Sequence, residues 1–148
     1  MGSTCPCCGH SHISIDTPRQ ALIRQDGSQR DRCLAMSDFV CPDGDTIGLF
    51  ACSAGAQTDN LLLQSVSDRL AEAAAELMSI RLKEKGWGGI RPAIGYPSIP
   101  DQKQIFQVAR LLDFSKAGIT LTENGAMFPQ ASVCGIYIQH PKAEYFNL

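Results

Sequence analysis

Apolar residues recur along this chain with two different periods, and the change of period marks the elements. Over residues 59–85 the spacing is helical: Leu62, Val66, Leu70, Ala73 or Ala74, and Leu77 return every three or four positions. Asp59 or Asn60 can cap this helix, Lys83 and Lys85 oppose its dipole in the last turn, and Gly86 ends it. At 1.5 Å per residue it spans about 40 Å. Its apolar positions are expected to form a buried, structural face. A second, shorter helix is predicted over residues 101–112, capped by Asp101, with Ile105, Val108, Ala109 and Leu112 on one side.

Shorter runs read as strands. Residues 47–52 are apolar and bounded by small residues, as in a buried strand. Residues 132–138 alternate Cys134, Ile136 and Ile138 against Val133, Gly135 and Tyr137. Residues 120–122 are a third candidate, and residues 13–15 a short fourth. Gln25-Asp26-Gly27-Ser28 and Pro42-Asp43-Gly44-Asp45 signal turns, and His140-Pro141 a turn that ends a strand. Strands interspersed with two helices, without a βαβ rhythm, predict an α+β fold.

A length of 148 residues supports one hydrophobic core and is short for two. The expected organisation is an N-terminal Cys/His-containing arm over 1–18, poorly ordered, and a single domain over 19–148. The formal net charge of -2, with no block of Lys or Arg, argues against a nucleic-acid partner. No apolar run approaches the ~20 residues of a membrane span, and no signal-peptide core is visible, so a cytoplasmic location without membrane contact is expected.

Seven cysteines in a cytosolic setting are expected to stay reduced. Cys33, Cys41, Cys52 and Cys134 lie in apolar or strand-like surroundings and read as small core residues. Cys5, Cys7 and Cys8 crowd the N-terminus beside His10 and His12, and Cys5 with Cys8 forms a C-x-x-C pair. Thiolate and imidazole are ligands for zinc or an iron–sulfur centre, so a Cys-cluster metal or redox protein is one reading. No second C-x-x-C follows at zinc-ribbon spacing, so a closed site needs this tract alone or a second chain.

Function turns on Arg91-Pro92-Ala93-Ile94-Gly95-Tyr96-Pro97-Ser98-Ile99-Pro100. So much proline forbids a helix interior and leaves an extended rail. Arginine offers a fork for a carboxylate, glycine a close backbone approach, and tyrosine an aromatic face with a polar tip. That set suits a small zwitterionic ligand; a proline-rich connector with an exposed arginine is the plain alternative. Neither G-x-G-x-x-G after a strand nor a Walker loop is present, which disfavours dinucleotides and nucleoside triphosphates.

Around this rail, in order, stand Cys33-Leu34-Ala35, Ser37-Asp38-Phe39-Val40, Ile47-Gly48-Leu49-Phe50-Ala51 and Asp68-Arg69-Leu70-Ala71-Glu72-Ala73. Leu121-Thr122-Glu123, Ala126-Met127-Phe128-Pro129, Ala131-Ser132-Val133-Cys134-Gly135, His140-Pro141 and Tyr145-Phe146 follow. From about Cys33 to the C-terminus this series resembles the activation (reactivation) domain of cobalamin-dependent methionine synthase, which binds S-adenosylmethionine. The resemblance implies a largely antiparallel sheet with helices around it in a C-shaped domain. It also implies the activity: an electron from a flavodoxin-like donor and the sulfonium methyl together return inactive cob(II)alamin to its methylated form. The cobalamin is expected on a partner chain, because the D-x-H-x-x-G that ligates it is absent here. The chain also lacks the folate and homocysteine modules, so it is either a stand-alone component or an excised domain.

Residue by residue, the resemblance places Arg91, Asp38 and Glu72 at the ligand site. Arg91 suits the ligand carboxylate, Asp38 the ammonium, and Glu72 is a carboxylate near the site, with Ala93 giving main-chain contacts. Tyr96 and Tyr145 would face the sulfonium or adenine, and Phe146 replaces a frequent second tyrosine. Competing structural roles are a surface arginine, an Asx turn or cap for Asp38, a solvated helix glutamate for Glu72, and rim tyrosines. Glu76, one turn beyond Glu72, competes for its place. No catalytic side chain is implied, since the corrin supplies the nucleophile. The alternative of a different class is a ligand-binding or docking module that transfers no methyl group.

Overall fold

The computed structural model of the chain describes residues 13–18, 20–23, 29–41, 43, 45–55 and 57–145. In chain order these form β1 (Gln20–Ile23), β2 (Gln29–Leu34), β3 (Gly48–Ser53), α1 (Leu61–Glu84), α2 (Ile105–Ala109), β4 (Thr120–Leu121), β5 (Met127–Phe128) and β6 (Ser132–Tyr137). Strands pair as β1–β2, β3–β6 and β4–β5, each antiparallel. With one long and one short helix, this is the α+β architecture expected, its pairing divided among two-stranded pieces.

The β3–β6 ribbon is the centre. Its register runs from Gly48 opposite Tyr137 to Ser53 opposite Ser132. Residues 90–94 lie along the other edge of β6, as the extended rail predicts. Ile90 and Ile138 exchange N–H···O bonds of 3.1 and 2.9 Å, Ile136 N–H donates to the Pro92 carbonyl (3.1 Å), and Ile94 N–H donates to the Cys134 carbonyl (2.9 Å). Pro92 is tolerated because this edge uses its carbonyl.

Side chains alternate across such a ribbon. Cys134, Ile136 and Ile138 therefore join Ile90 and Ile94 in one core cluster, with Met36, Phe39, Ile99, Ile105, Val108, Phe114 and Ile119. On the opposite face Val133, Phe50 and Ala93 pack with Ala71 and Ala75 of α1. The predicted alternation along β6 is thus observed, and both of its faces are covered. Gly135 makes the crossing possible. A Cβ there would fall against the Pro92 carbonyl, 2.8 Å from Ala93 Cα and 2.9 Å from a Phe50 ring carbon.

Helix α1 begins where expected: the Asn60 side chain accepts from the N–H groups of Leu62 (3.0 Å) and Leu63 (3.1 Å). It ends at a glycine with φ +87°, Gly86. Its buried face differs from the prediction. Gln64, Ser67, Ala71, Ala75 and Ser79 are buried, whereas Leu62, Val66, Leu70 and Leu77 are 49–74% exposed. Small side chains recurring about every four residues let the helix backbone approach the ribbon. The larger stripe is left outside, and hydrophobicity alone does not reveal that choice.

Elsewhere the expectations are trimmed. The second helix is a 3-10 turn (Gln102–Gln104) leading into α2, with Asp101 accepting from Lys103 N–H at 3.0 Å. It stops early because Asp113 caps a further 3-10 turn, Phe114–Ala117. Residues 13–15 form no strand; Ile13 and Ile15 pack, partly buried, on the main core. Cys41 is exposed, contrary to the core reading, while Cys134 is buried. The cysteine–histidine tract, the 25–28 turn, Pro42, Gly44, Phe146 and the Cys33 side chain lie outside the described residues.

The crossing at Gly135 generates a prediction. Gly135→Ala has no flexible neighbour to displace and should cost about 3 kcal/mol. At this chain length that is a fall in Tm of roughly 10 °C, measurable by thermal unfolding.

Candidate functional site

Alternation along the rail decides where its arginine goes. Ile90, Pro92 and Ile94 occupy one phase, so Arg91 and Ala93 occupy the other, on the face of β6 that carries α1. On α1, Ala71 and Ala75 face the ribbon. Glu72 and Glu76 each follow one of them and so stand at the rim of the buried face, one turn apart.

The two sets meet. Arg91 Nη1 lies 3.5 Å from Glu72 Oε2, and Arg91 Nη2 donates to Glu76 Oε2 at 3.3 Å. The Tyr96 hydroxyl donates to Glu72 Oε1 at 2.8 Å, and the Arg91 backbone N–H donates to the Tyr145 hydroxyl oxygen at 2.9 Å. The guanidinium carbon sits 5.9 Å from the centre of the Phe50 ring, within cation–π range. Arg91 is largely covered, with 14% of its side chain exposed, and its buried Nε has no hydrogen-bond partner. Glu72 and Glu76 are more open, at 36% and 56%.

Beside this network opens a cavity of about 370 Å³. Ser65, Asp68, Arg69, Ala71 and Glu72 of α1 line one wall, with Tyr96, Gln130, Ser132 and Val133 opposite. Its size falls in the range of small-molecule clefts, ~300–1,000 Å³. Asp68, Glu72 and Glu76, spaced four residues apart, form an acidic stripe along the helix. Asp68 Oδ1 also accepts from the Gln64 amide at 2.8 Å.

Of the sequence candidates, Glu72, Arg91, Tyr96 and Tyr145 are thus brought into one bonded network. Ala93 lies beneath it in the apolar layer. Asp38 is placed differently. Its 3-10 turn (Met36–Phe39) packs through Met36 and Phe39 on the opposite face of the ribbon. There its carboxylate accepts from Ala35 N–H at 3.0 Å, while its own N–H donates back to the Ala35 carbonyl at 3.0 Å. That geometry is the cap weighed against a ligand contact. Sequence reasoning missed Phe50, Arg69, Gln130, Ser132 and Asp68. Only Asp68 had a legible signal, since Asp68, Glu72 and Glu76 share a helical spacing.

The Cys134 thiol is pushed up to about 12 by burial, and burial also raises Cys52. Neither offers a thiolate at neutral pH. Tyr96 is held above the usual phenol range, first by its hydrogen bond to Glu72 and then by burial, so it stays a neutral donor. Among the described residues, no three His, Cys, Asp or Glu side chains gather as a metal site. No described helix is long and apolar enough to cross a membrane.

Two outcomes follow. Because the folded pKa of Tyr96 is raised, the Tyr96–Glu72 bond is fully present below the unfolded phenol value near 10 and is lost as pH rises through the folded one. An ultraviolet phenolate titration should therefore lose one late-ionising tyrosine in Tyr96→Phe. Asp38→Ala should lower Tm by a few degrees, the cost of a cap of about 1 kcal/mol.

Comparison with known proteins adds what geometry cannot. A crystal structure described as the MetH reactivation domain bound to AdoHcy is 35% identical, with a TM-score of 0.49, over 56% of this chain. The match covers 31% of that longer chain. The family model described as vitamin B12 dependent methionine synthase, activation domain, matches residues 10–148. Nearly the whole sequence is accounted for by that one match, and the chain therefore belongs to the activation-domain family of vitamin B12 dependent methionine synthases.

Proposed function

We propose that this chain binds S-adenosylmethionine and supports the reductive methylation of cob(II)alamin carried by a methionine synthase module on a partner chain. Family membership supports the general role. The observation that carries the ligand is the Arg91 network, in which one largely covered guanidinium stands between two carboxylates beside an open cavity. S-adenosylmethionine bears a carboxylate and two cationic centres, the ammonium and the sulfonium. A site holding one fork for an anion and several carboxylates for cations matches that pattern.

The residues divide the work as follows. Arg91 exchanges a glutamate for the ligand carboxylate, and its unpartnered Nε gains an acceptor. The glutamate freed in that exchange, Glu72 or Glu76, takes the ammonium. Tyr96 and Tyr145 offer aromatic faces to the sulfonium or adenine. Asp38 holds its own turn rather than the ligand. The corrin, when its module docks, supplies the nucleophile, and this chain's contribution is to hold and aim the methyl group. A flavodoxin-like electron donor and a cytoplasmic setting complete the proposal.

Calorimetric titration with S-adenosylmethionine tests it. Arg91→Lys should weaken binding about tenfold or more, because a point charge replaces a two-pronged contact. Unchanged affinity in that variant would remove Arg91 as the carboxylate clamp. If the wild-type chain binds the ligand but a cobalamin-loaded partner, supplied with a one-electron reductant, shows no change from the cob(II)alamin to the methylcobalamin spectrum, the chain is a binding module and the methylation role fails.

A further inference from the structure

The outer face of α1 carries a pattern that the ligand site does not use. Leu63, Val66, Leu70, Ala73, Leu77 and Ile80 follow one another in alternating steps of three and four residues. That is the seam spacing of paired helices, where two such stripes interlock. The side chains face solvent: Leu63 is 55% exposed, Val66 49%, Leu70 57%, Leu77 50% and Ile80 46%. The buried face is already satisfied by Ala71 and Ala75 against the ribbon. A continuous apolar stripe along five helical turns is more than scattered surface hydrophobicity.

We propose that this face pairs with α1 of a second copy of the chain, antiparallel, about a two-fold axis. Three features favour that occupant and orientation. Antiparallel pairing sets Leu70 opposite Ala73 of the second copy, large against small, and brings Leu63 to Ile80 and Val66 to Leu77. A parallel pair would instead stack Ala73 on Ala73 and leave a gap. The same register sets Arg69 opposite Glu76 on the flank of the seam, twice by symmetry, so one helix carries both halves of the charge match. Opposed helix dipoles add to the preference. Because Glu76 also bonds Arg91 at 3.3 Å, the interface and the ligand site share a carboxylate. The inference stands apart from the identity of the ligand.

Sedimentation equilibrium of the full chain tests it. A dimer is expected, and Leu70→Glu should convert it to monomer with an unchanged far-ultraviolet circular dichroism spectrum, since Leu70 already faces solvent. If that variant does not fold, Arg69→Glu leaves the packing alone and should weaken the dimer about tenfold. Orientation is read by mixing Leu63→Cys with Ile80→Cys chains under oxidation, with wild-type chains as background for native cysteines. Mixed disulfides support the antiparallel pair; like-with-like disulfides overturn it. A wild-type chain that is monomeric at every concentration, or a dimer indifferent to both charge substitutions, overturns the proposal. So does a monomer that uses Leu70 to bind a cobalamin-carrying module instead.

Discussion

The passage of residues 90–94 across Gly135 is the constraint on which the site depends. Four main-chain hydrogen bonds fix the rail to β6, and strand alternation then leaves no choice about which face Arg91 takes. The absent side chain at Gly135 lets the Pro92 carbonyl and the Phe50 ring share one small space. The arginine is consequently delivered over Phe50 and under α1 by backbone geometry, before any of its own interactions form. Tyr145 reinforces the placement from a distant part of the chain by accepting the Arg91 N–H.

What happens at the end of that side chain is energetically different. A well-covered guanidinium needs a counter-charge, because leaving it alone in a low-dielectric site is costly. Glu72 and Glu76 meet that need, yet both carboxylates remain substantially exposed. Ion pairs of this half-open kind contribute little net stability, since solvation competes with them. Their weakness is useful in a binding site. In the binding role proposed for this site, a ligand carboxylate would replace a glutamate on Arg91 at small cost, and the displaced glutamate would stay within reach of a cation. The network is stable enough to position its members and loose enough to be exchanged.

How much of this was legible beforehand depends on which physical rule governs each feature. The rail was readable because proline restricts backbone conformation locally. The alternation along β6 was readable because a pleat has period two. The Asn60 and Asp101 caps were readable because short polar side chains satisfy the first N–H groups of a helix. Which stripe of α1 faces inward was not, since that is decided by the partner surface. A ribbon containing Gly135 and Phe50 accepts alanine and serine more closely than leucine. Asp38 illustrates the same limit: its cap geometry and a ligand contact demand the same residue type, and only the path of the chain separates them.

The two stripes of α1 also explain each other. A helix chosen only for its inner contact would carry polar residues outside, as amphipathic surface helices do. This one places its small residues inward and its large ones outward, so its apolar surface is divided between two opposing faces. Helical spacing alone treats the two stripes as one signal, which is why the leucines read as core. An inner face of Ala71, Ala75 and Ser79 brings the helix close enough for Glu72 and Glu76 to reach Arg91. Leucines in those positions would hold the helix further from the ribbon and open that gap. The site therefore requires the small face to be inside, and the apolar bulk of the helix is left for a surface that the folded monomer does not itself provide.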